Sequence, residues 1–356
     1  MRQLNPRAWW GVESASTDSE GEFRMFRRAA ALTFAVLALG AAVTAPSAAA
    51  GEACTWTAHK IVAPEGYFDT DVTITGTDSH GNYSGHVLDR SVDMGKVVLW
   101  TDGEPRIPGA LAPFVYPHVA DENSAGTVLL DGGLPATGQG VYLFSGGHRG
   151  PGTLTRLPDP PGYRLESAVA LNDRGDVLTS ATSLSDGHRV SVLWSILAAG
   201  PRIIDVPDRS GMDLDDDGTV LLGAPDNKLG GLWRAGVVTP LTGEDRPVLI
   251  RQIRNGVVVG TAIDSWPASR ALAWHGPADP RPLEQGGTAE ATNKHGLIAG
   301  SLTNLIGPSA VWQDTKLLGL LPFPDGGDAD VYVVGDDGVI FGNTSGDHAA
   351  LRWTCG

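Results

Sequence analysis

The sequence predicts an all-β fold, a seven-bladed β-propeller closed by its N-terminal strand and a terminal disulfide. Three observations lead there. A turn ending in glycine recurs along the chain, an aromatic residue follows each turn at a near-constant distance, and two cysteines bracket the repeats.

The phrases "LNDRGDVLTS", "LDDDGTVLLG", "IRNGVVVG", "ATNKHGLIAGS" and "GDDGVIFG" each set a polar turn and a glycine before a short apolar run. The marker glycines are Gly81, Gly126, Gly175, Gly218, Gly256, Gly296 and Gly338, spaced 38 to 49 residues apart. Asn or Asp stands three residues earlier at Asp78, Asn123, Asn172, Asp215 and Asn293. Such side chains bond back to the turn backbone, and glycine accepts the positive φ that the turn demands.

The aromatic marker follows at Trp100, Phe144, Trp194, Trp233, Trp274, Trp312 and Trp353, 15 to 19 residues after each glycine. Two markers hold register through seven copies. In the third copy "SAVALN", "DVLTSAT", "VSVLWS" and "PRIIDVP" read as four strands separated by turn signals. A four-stranded unit of about 40 residues is the signature of a propeller blade. The marker aromatics lie within strands and read as core between blades.

The seventh copy stops at "HAALRWTCG", one strand short, while "HKIVAPE" near the other end resembles the fourth strands of other copies. Residues 54–65 therefore complete blade seven. That closure removes exposed sheet edges and brings Cys54 to Cys355, the two cysteines of the chain, for a disulfide suited to a secreted protein.

Residues 1–50 read as an N-terminal extension and signal peptide, and 51–356 as the propeller domain. Arg24, Arg27 and Arg28 precede the apolar "AAALTFAVLALGAAV", and small residues at Ala48 and Ala50 place cleavage after Ala50. Met25 is a second candidate start, and a retained membrane anchor is the competing reading of the uncharged stretch from Ala29 to Gly51. The net charge of −15, with 26 basic and 41 acidic residues, argues against nucleic acid and against anionic lipid. A soluble extracellular monomer, with no membrane contact after leader removal, is the expectation.

The repeat resembles the HAF-type extracellular repeat family of bacterial secreted proteins. "ALNDRGDVL", "TNKHGLIAG" and "IRNGVVVG" match the first half of that family's pattern, and "GDHAALRW" matches the second half best. The likeness covers most of residues 70–356. It implies a secreted propeller-like fold and no particular chemistry. The second copy departs most, with Phe144 in place of Trp and "DGGLPATGQG" at its second strand.

Chemistry-bearing patterns are sparse. No G-x-S-x-G elbow, H-E-x-x-H, P-loop or G-x-G-x-x-G occurs. Asp213, Asp215 and Asp217 before Gly218 have the alternation of a Ca²⁺ loop, but Ala224 stands where an EF-hand loop needs glutamate. A structural turn is the favoured reading, with Ca²⁺ the only cofactor suggested. His148–Arg149 and His188–Arg189 read as solvated loop residues. Ligand-binding candidates come from the loops of the channel mouth: Tyr116, His118, Tyr163, Arg164, Glu166, Trp266, Asp328 and Asp330. Aromatics mixed with carboxylates suit a carbohydrate.

The functional expectation is a secreted, non-catalytic binding or scaffold propeller, directed at extracellular or cell-wall glycan. A glycan hydrolase or lyase with carboxylates at the mouth is the alternative, and a platform for extracellular protein partners the third. Intact-mass analysis of the secreted protein is expected to give a chain starting at Gly51 with no free thiol. A chain retaining residues 29–50 would establish the anchor instead.

Overall fold

Each repeat forms four antiparallel strands, because apolar β-compatible runs alternate with turns whose glycines relieve the backbone. All seven marker glycines have φ between 69° and 95°. The structure, a computed structural model, describes residues 54–356 apart from 93, 199, 226–227, 266–267, 304–306 and 325–327. The expected leader lies outside the described residues. Repeat three forms the strands Tyr163–Leu171, Val177–Ser183, Arg189–Trp194 and Arg202–Ile204, paired in that order.

Seven four-stranded sheets result. Their innermost strands are Val72–Thr77, Val115–Glu122, Tyr163–Leu171, Ser210–Leu214, Val248–Arg254, Thr288–Thr292 and Ala329–Val334. Each touches the innermost strand of the next blade, and the last touches the first. The chain is therefore a seven-bladed propeller around a central channel. Seven apolar clusters fill the seams, one between each pair of blades.

Blade seven comprises Ala329–Val334, Ile340–Thr344, Ala350–Cys355 and the N-terminal strand Trp56–Lys60. Cys54 and Cys355 form a disulfide with Cα atoms 5.5 Å apart and 301 residues between them in sequence. The closing strand lies a few residues earlier than the "HKIVAPE" segment suggested. With Cys54 fixed beside Cys355, Trp56 falls opposite Cys355 and Lys60 opposite Leu351. Ile61 and Ala63 then turn into the seam between blades seven and one.

The aromatic markers do more than fill space. The indole N–H groups of Trp100, Trp274, Trp312 and Trp353 donate to the carbonyls of Val62, Thr242, Glu284 and Pro322. Each acceptor belongs to the connection leaving the preceding blade. Phe144 has no such donor. Its ring is instead clasped by glycine backbone: a Cβ on Gly147 or Gly152 would lie 2.3 or 2.2 Å from it.

An innermost strand has one edge without a strand partner, so its buried N–H groups need other acceptors. Side chains of the preceding blade supply them. Asp131 accepts from Ala168 N, Ser191 from Gly211 N, Thr261 from Ala289 N and Gln252 from Thr292 N. Asp121 does the same for Leu171 N and Asp213 for Ile253 N. At the turns, Asn123, Asn172 and Asn293 each donate a side-chain amide to the marker-turn carbonyl of the next blade, Asn172 O, Asp215 O and Gly335 O.

Replacing the disulfide removes a cross-link between ends 301 residues apart. Cys355→Ser is expected to lower stability by roughly 4 kcal/mol on the chain-entropy account, read as a lower denaturation midpoint, while the β-type circular dichroism persists. Loss of that dichroism would mean that the strand pairing cannot close the ring alone.

Candidate functional site

The channel wall has one rule. Every innermost strand carries a β-bulge at the same place, where its register against the second strand slips by one residue. The extra residues are Thr75, Ala120, Val169, Met212, Arg251, Glu290 and Tyr332, and all seven line the channel cavity of 260 Å³. A bulge re-aims one side chain per strand, so each blade contributes one such residue. Blades one to four contribute uncharged ones, and the polar arc lies on blades five to seven.

Within that arc Arg251 Nε lies 2.9 Å from Glu290 Oε2. Burial pushes the Glu290 carboxyl above its ordinary range, partly opposed by Arg251 and reinforced by the negative charge of Asp330. Tyr332 is likewise pushed up, by burial and then by Asp330.

At the turn face two cations line the channel. Lys294, on the blade-six turn, pairs with Asp336 of blade seven at 2.7 Å and reaches Asp173 of blade three at 3.8 Å. Arg254 donates to Asp213 at 2.6 Å. Burial works against the charge of Arg254, but Asp213 and Asp121 outweigh it and hold the guanidinium firmly protonated. Asp121 has the opposite balance. Burial raises it to about 7 despite Arg254 and the N–H of Leu171.

The other end opens into a groove of 520 Å³ between blades seven, one and two. Tyr332 borders both channel and groove, and Tyr116 forms the facing rim. Tyr116 is 69% exposed and sits at φ 50°, a left-handed conformation that costs a non-glycine residue about 1 kcal/mol. Asp71, His86 and Asn343 supply polar groups along the groove. His86 is shifted down by burial and by nearby His118, and its buried Nδ1 has no hydrogen-bond partner.

The sequence candidates divide accordingly. Tyr116 lines the groove. His118 stands beside it, its Nδ1 3.3 Å from Asp131, which raises its pKa. Asp330 lies next to Tyr332 on the innermost strand of blade seven. Tyr163 packs against the core between blades two and three, and Arg164 pairs with Glu166 at 2.8 Å on the blade-three rim, apart from the groove. Asp328 offers its backbone carbonyl to Ser345. Trp266 lies outside the described residues.

The three alternating aspartates of the "MDLDDDG" turn, Asp213, Asp215 and Asp217, have separate partners. Asp213 holds Arg254, Asp215 accepts from Asn255 N and Gly256 N, and Asp217 accepts from Thr219 N and pairs with Arg234. Among the described residues no group of three His, Cys, Asp or Glu side chains is placed to hold a metal ion.

Sequence reasoning missed Arg251, Glu290 and Tyr332. Once the structure locates one bulge the spacing gives the others: each bulge residue stands six positions before its marker glycine, or five in blade five, where Asn255–Gly256 makes a shorter turn.

His148, expected in solvent, is only 5% exposed, while His188 is 42% exposed between Asp186 and Asp205. The glycine-rich loop after Phe144 folds back and inserts His148 into the seam between blades one and two. There its Nε2 is 2.6 Å from Oε1 of fully buried Glu122, and its Nδ1 is 3.0 Å from Thr101 Oγ1.

No protein-family profile and no curated protein sequence matches the chain. Solved structures with the same architecture do. The propeller domain of a trilobed protease from Pyrococcus furiosus, described as having an open velcro topology, matches with a TM-score of 0.50 at 11% identity, over 71% of this chain and 86% of that one. A prolyl endopeptidase gives 0.51 at 9% identity over 81% of this chain and 51% of that one. Prolyl oligopeptidase B from Galerina marginata gives 0.50 at 13% identity over 79% and 48%. The chain thus spans about half the length of the two prolyl peptidases. These similarities place it in the class of β-propeller proteins.

The raised Asp121 pKa has a stability consequence with a definite sign. A carboxyl whose folded pKa exceeds its unfolded value favours folding at low pH, and that contribution is lost as pH rises from about 4 through 7. Asp121→Asn is expected to flatten this decline by on the order of 2–4 kcal/mol, read from denaturant unfolding at pH 4, 5.5 and 7.5. Parallel pH profiles for both proteins would refute the assignment.

Proposed function

We propose that the protein is a secreted binding propeller that takes a glycan at the open mouth of its channel. The observation that carries this reading is the groove between Tyr116 and Tyr332, two tyrosines of which 69% and 46% stay exposed. Ligand sites combine apolar and aromatic walls with a few placed polar groups. Here two rings offer faces to sugar C–H groups, while Asp71, His86 and Asn343 offer hydrogen bonds to hydroxyls. Lys294 bridges Asp336 of blade seven and Asp173 of blade three across the turn face, which leaves the mouth as the side of approach. The resemblance to HAF-type extracellular repeats and the Cys54–Cys355 bond, which suits an oxidising compartment, support secretion.

A hydrolase or lyase reading draws on one further observation. Burial raises Glu290 at the channel edge and the charge of Asp330 adds to that rise, the behaviour wanted of a general acid. Incubating residues 51–356 with soluble and insoluble polysaccharides, and recording retention and released products together, separates the readings. Retention without products is expected. Tyr116→Ala and Tyr332→Ala should each weaken it about tenfold, the loss of one aromatic contact. Undiminished retention in both variants would move the site elsewhere, and released products would favour the enzyme.

A further inference from the structure

The seam between blades one and two holds a constellation separate from the channel mouth. Thr101 Oγ1 lies 3.0 Å from Nδ1 of His148, whose Nε2 lies 2.6 Å from Glu122 Oε1. Hydroxyl, imidazole and carboxylate within hydrogen-bond reach, the base oriented by a third group, are the geometric mark of an activated nucleophile. The carboxylate end is fully buried and the imidazole nearly so. The hydroxyl end borders an outer cleft of 440 Å³ formed with Glu104, Pro105, Arg106 and Arg149.

Glu122 fixes the tautomer. With Nε2–H donating to Oε1, Nδ1 is left to accept from the Thr101 hydroxyl. The second oxygen of Glu122 is buried without any hydrogen-bond partner. The imidazole is thus the one hydrogen-bond partner of this carboxylate's side chain among the described residues. No strand pairing depends on this relay. It occupies the one seam whose marker aromatic, Phe144, lacks a donor.

We propose that Thr101 is an acyl-accepting nucleophile, with His148 as its general base and Glu122 as the positioning residue, acting on short-chain esters of hydrophilic alcohols. Thr101 Oγ attacks the ester carbonyl as its proton passes to His148 Nδ1. The carbon–oxygen bond to the alcohol breaks, and the alcohol departs with that proton. Water, deprotonated by His148, then cleaves the acyl-threonine to give a carboxylic acid and the free hydroxyl. The short acyl group follows from the cleft, where Pro105 is the one apolar side chain among the described residues. The hydrophilic alcohol follows from Glu104, Arg106 and Arg149. This assignment is independent of the glycan reading.

The test uses the whole mature chain with p-nitrophenyl acetate and p-nitrophenyl octanoate, followed by peptide mapping of quenched protein. A burst of nitrophenol with the acetyl group on Thr101 is expected, with the octanoate at least tenfold slower. Thr101→Ser should keep the burst and Thr101→Val should abolish it. Both variants leave His148 and Glu122 in place, so folding is readily checked. Glu122→Gln should slow acylation about a hundredfold and alter its pH profile, which a purely structural role would not. Undiminished hydrolysis in Thr101→Val, or acetyl groups only on surface lysine or histidine, would overturn the proposal.

Discussion

The constraint on which the rest depends is that no blade can stand alone. A four-stranded sheet of this kind has two apolar faces, and its innermost strand has an edge with no strand to pair with. Each face is buried only by the neighbouring blade, through one apolar cluster per seam. The unpaired edge is satisfied the same way, by Asp131, Ser191 and Thr261 reaching forward to N–H groups of the next blade. A buried donor left unpaired costs about 1–3 kcal/mol, so these polar residues are as structural as the leucines around them. Closure follows from the same requirement. Without Trp56–Lys60 beside Ala350–Cys355, blade seven would present one more open edge.

The bulges connect this scaffold to the site. A strictly paired innermost strand would alternate its side chains between the two seams that flank its blade. The slip in each blade adds one residue to the channel wall without disturbing the seam on either side. The wall can therefore vary while the packing does not. Thr75, Ala120, Val169 and Met212 form one quiet side, and Arg251, Glu290 and Tyr332 a charged and aromatic one. That asymmetry, on a scaffold of near-identical blades, gives the channel a direction in which a ligand could be oriented. Lys294 and Arg254 at the turn face complete it by making the two ends unlike.

What could be read in the sequence was whatever the backbone itself demands. Gly175 and Gly296 are required by positive φ, and Trp274 and Trp312 by a large seam position with a carbonyl to meet. Such demands recur with the repeat and stand out against it. Cys54 and Cys355 were legible because their positions at the ends have meaning once the ring is supposed. The bulges were not, because "TITGT" reads as ordinary alternation and nothing in it marks the slip between Ile74 and Gly76. Tyr332 is hidden for the same reason, since "ADVYVV" gives no mark of the slip between Val331 and Val333. Mouth residues chosen as loop aromatics fared unevenly, since Tyr116 and Tyr163 look alike in sequence yet one faces the groove and the other the core.

Blade two is where the repeat rule and the structure part company, and the departures are connected. Phe144 cannot make the indole bond found at four other markers, so Gly147 and Gly152 bring backbone against its ring. The loop that carries those glycines also carries His148 into the seam, across 26 residues from Glu122 and 47 from Thr101. A buried carboxylate facing a single imidazole is a poor way to stabilise a seam, because its desolvation cost commonly matches or exceeds the attraction, and apolar residues of similar size serve as well or better. The other six seams combine apolar packing with side-chain hydrogen bonds to backbone, and where charges pair between blades, as Arg254 with Asp213, the pair stands at the channel wall. Proteins tend to break their own local rules where chemistry is required, and this seam departs in two ways together: its marker lacks an indole donor, and an imidazole is buried against a carboxylate inside it.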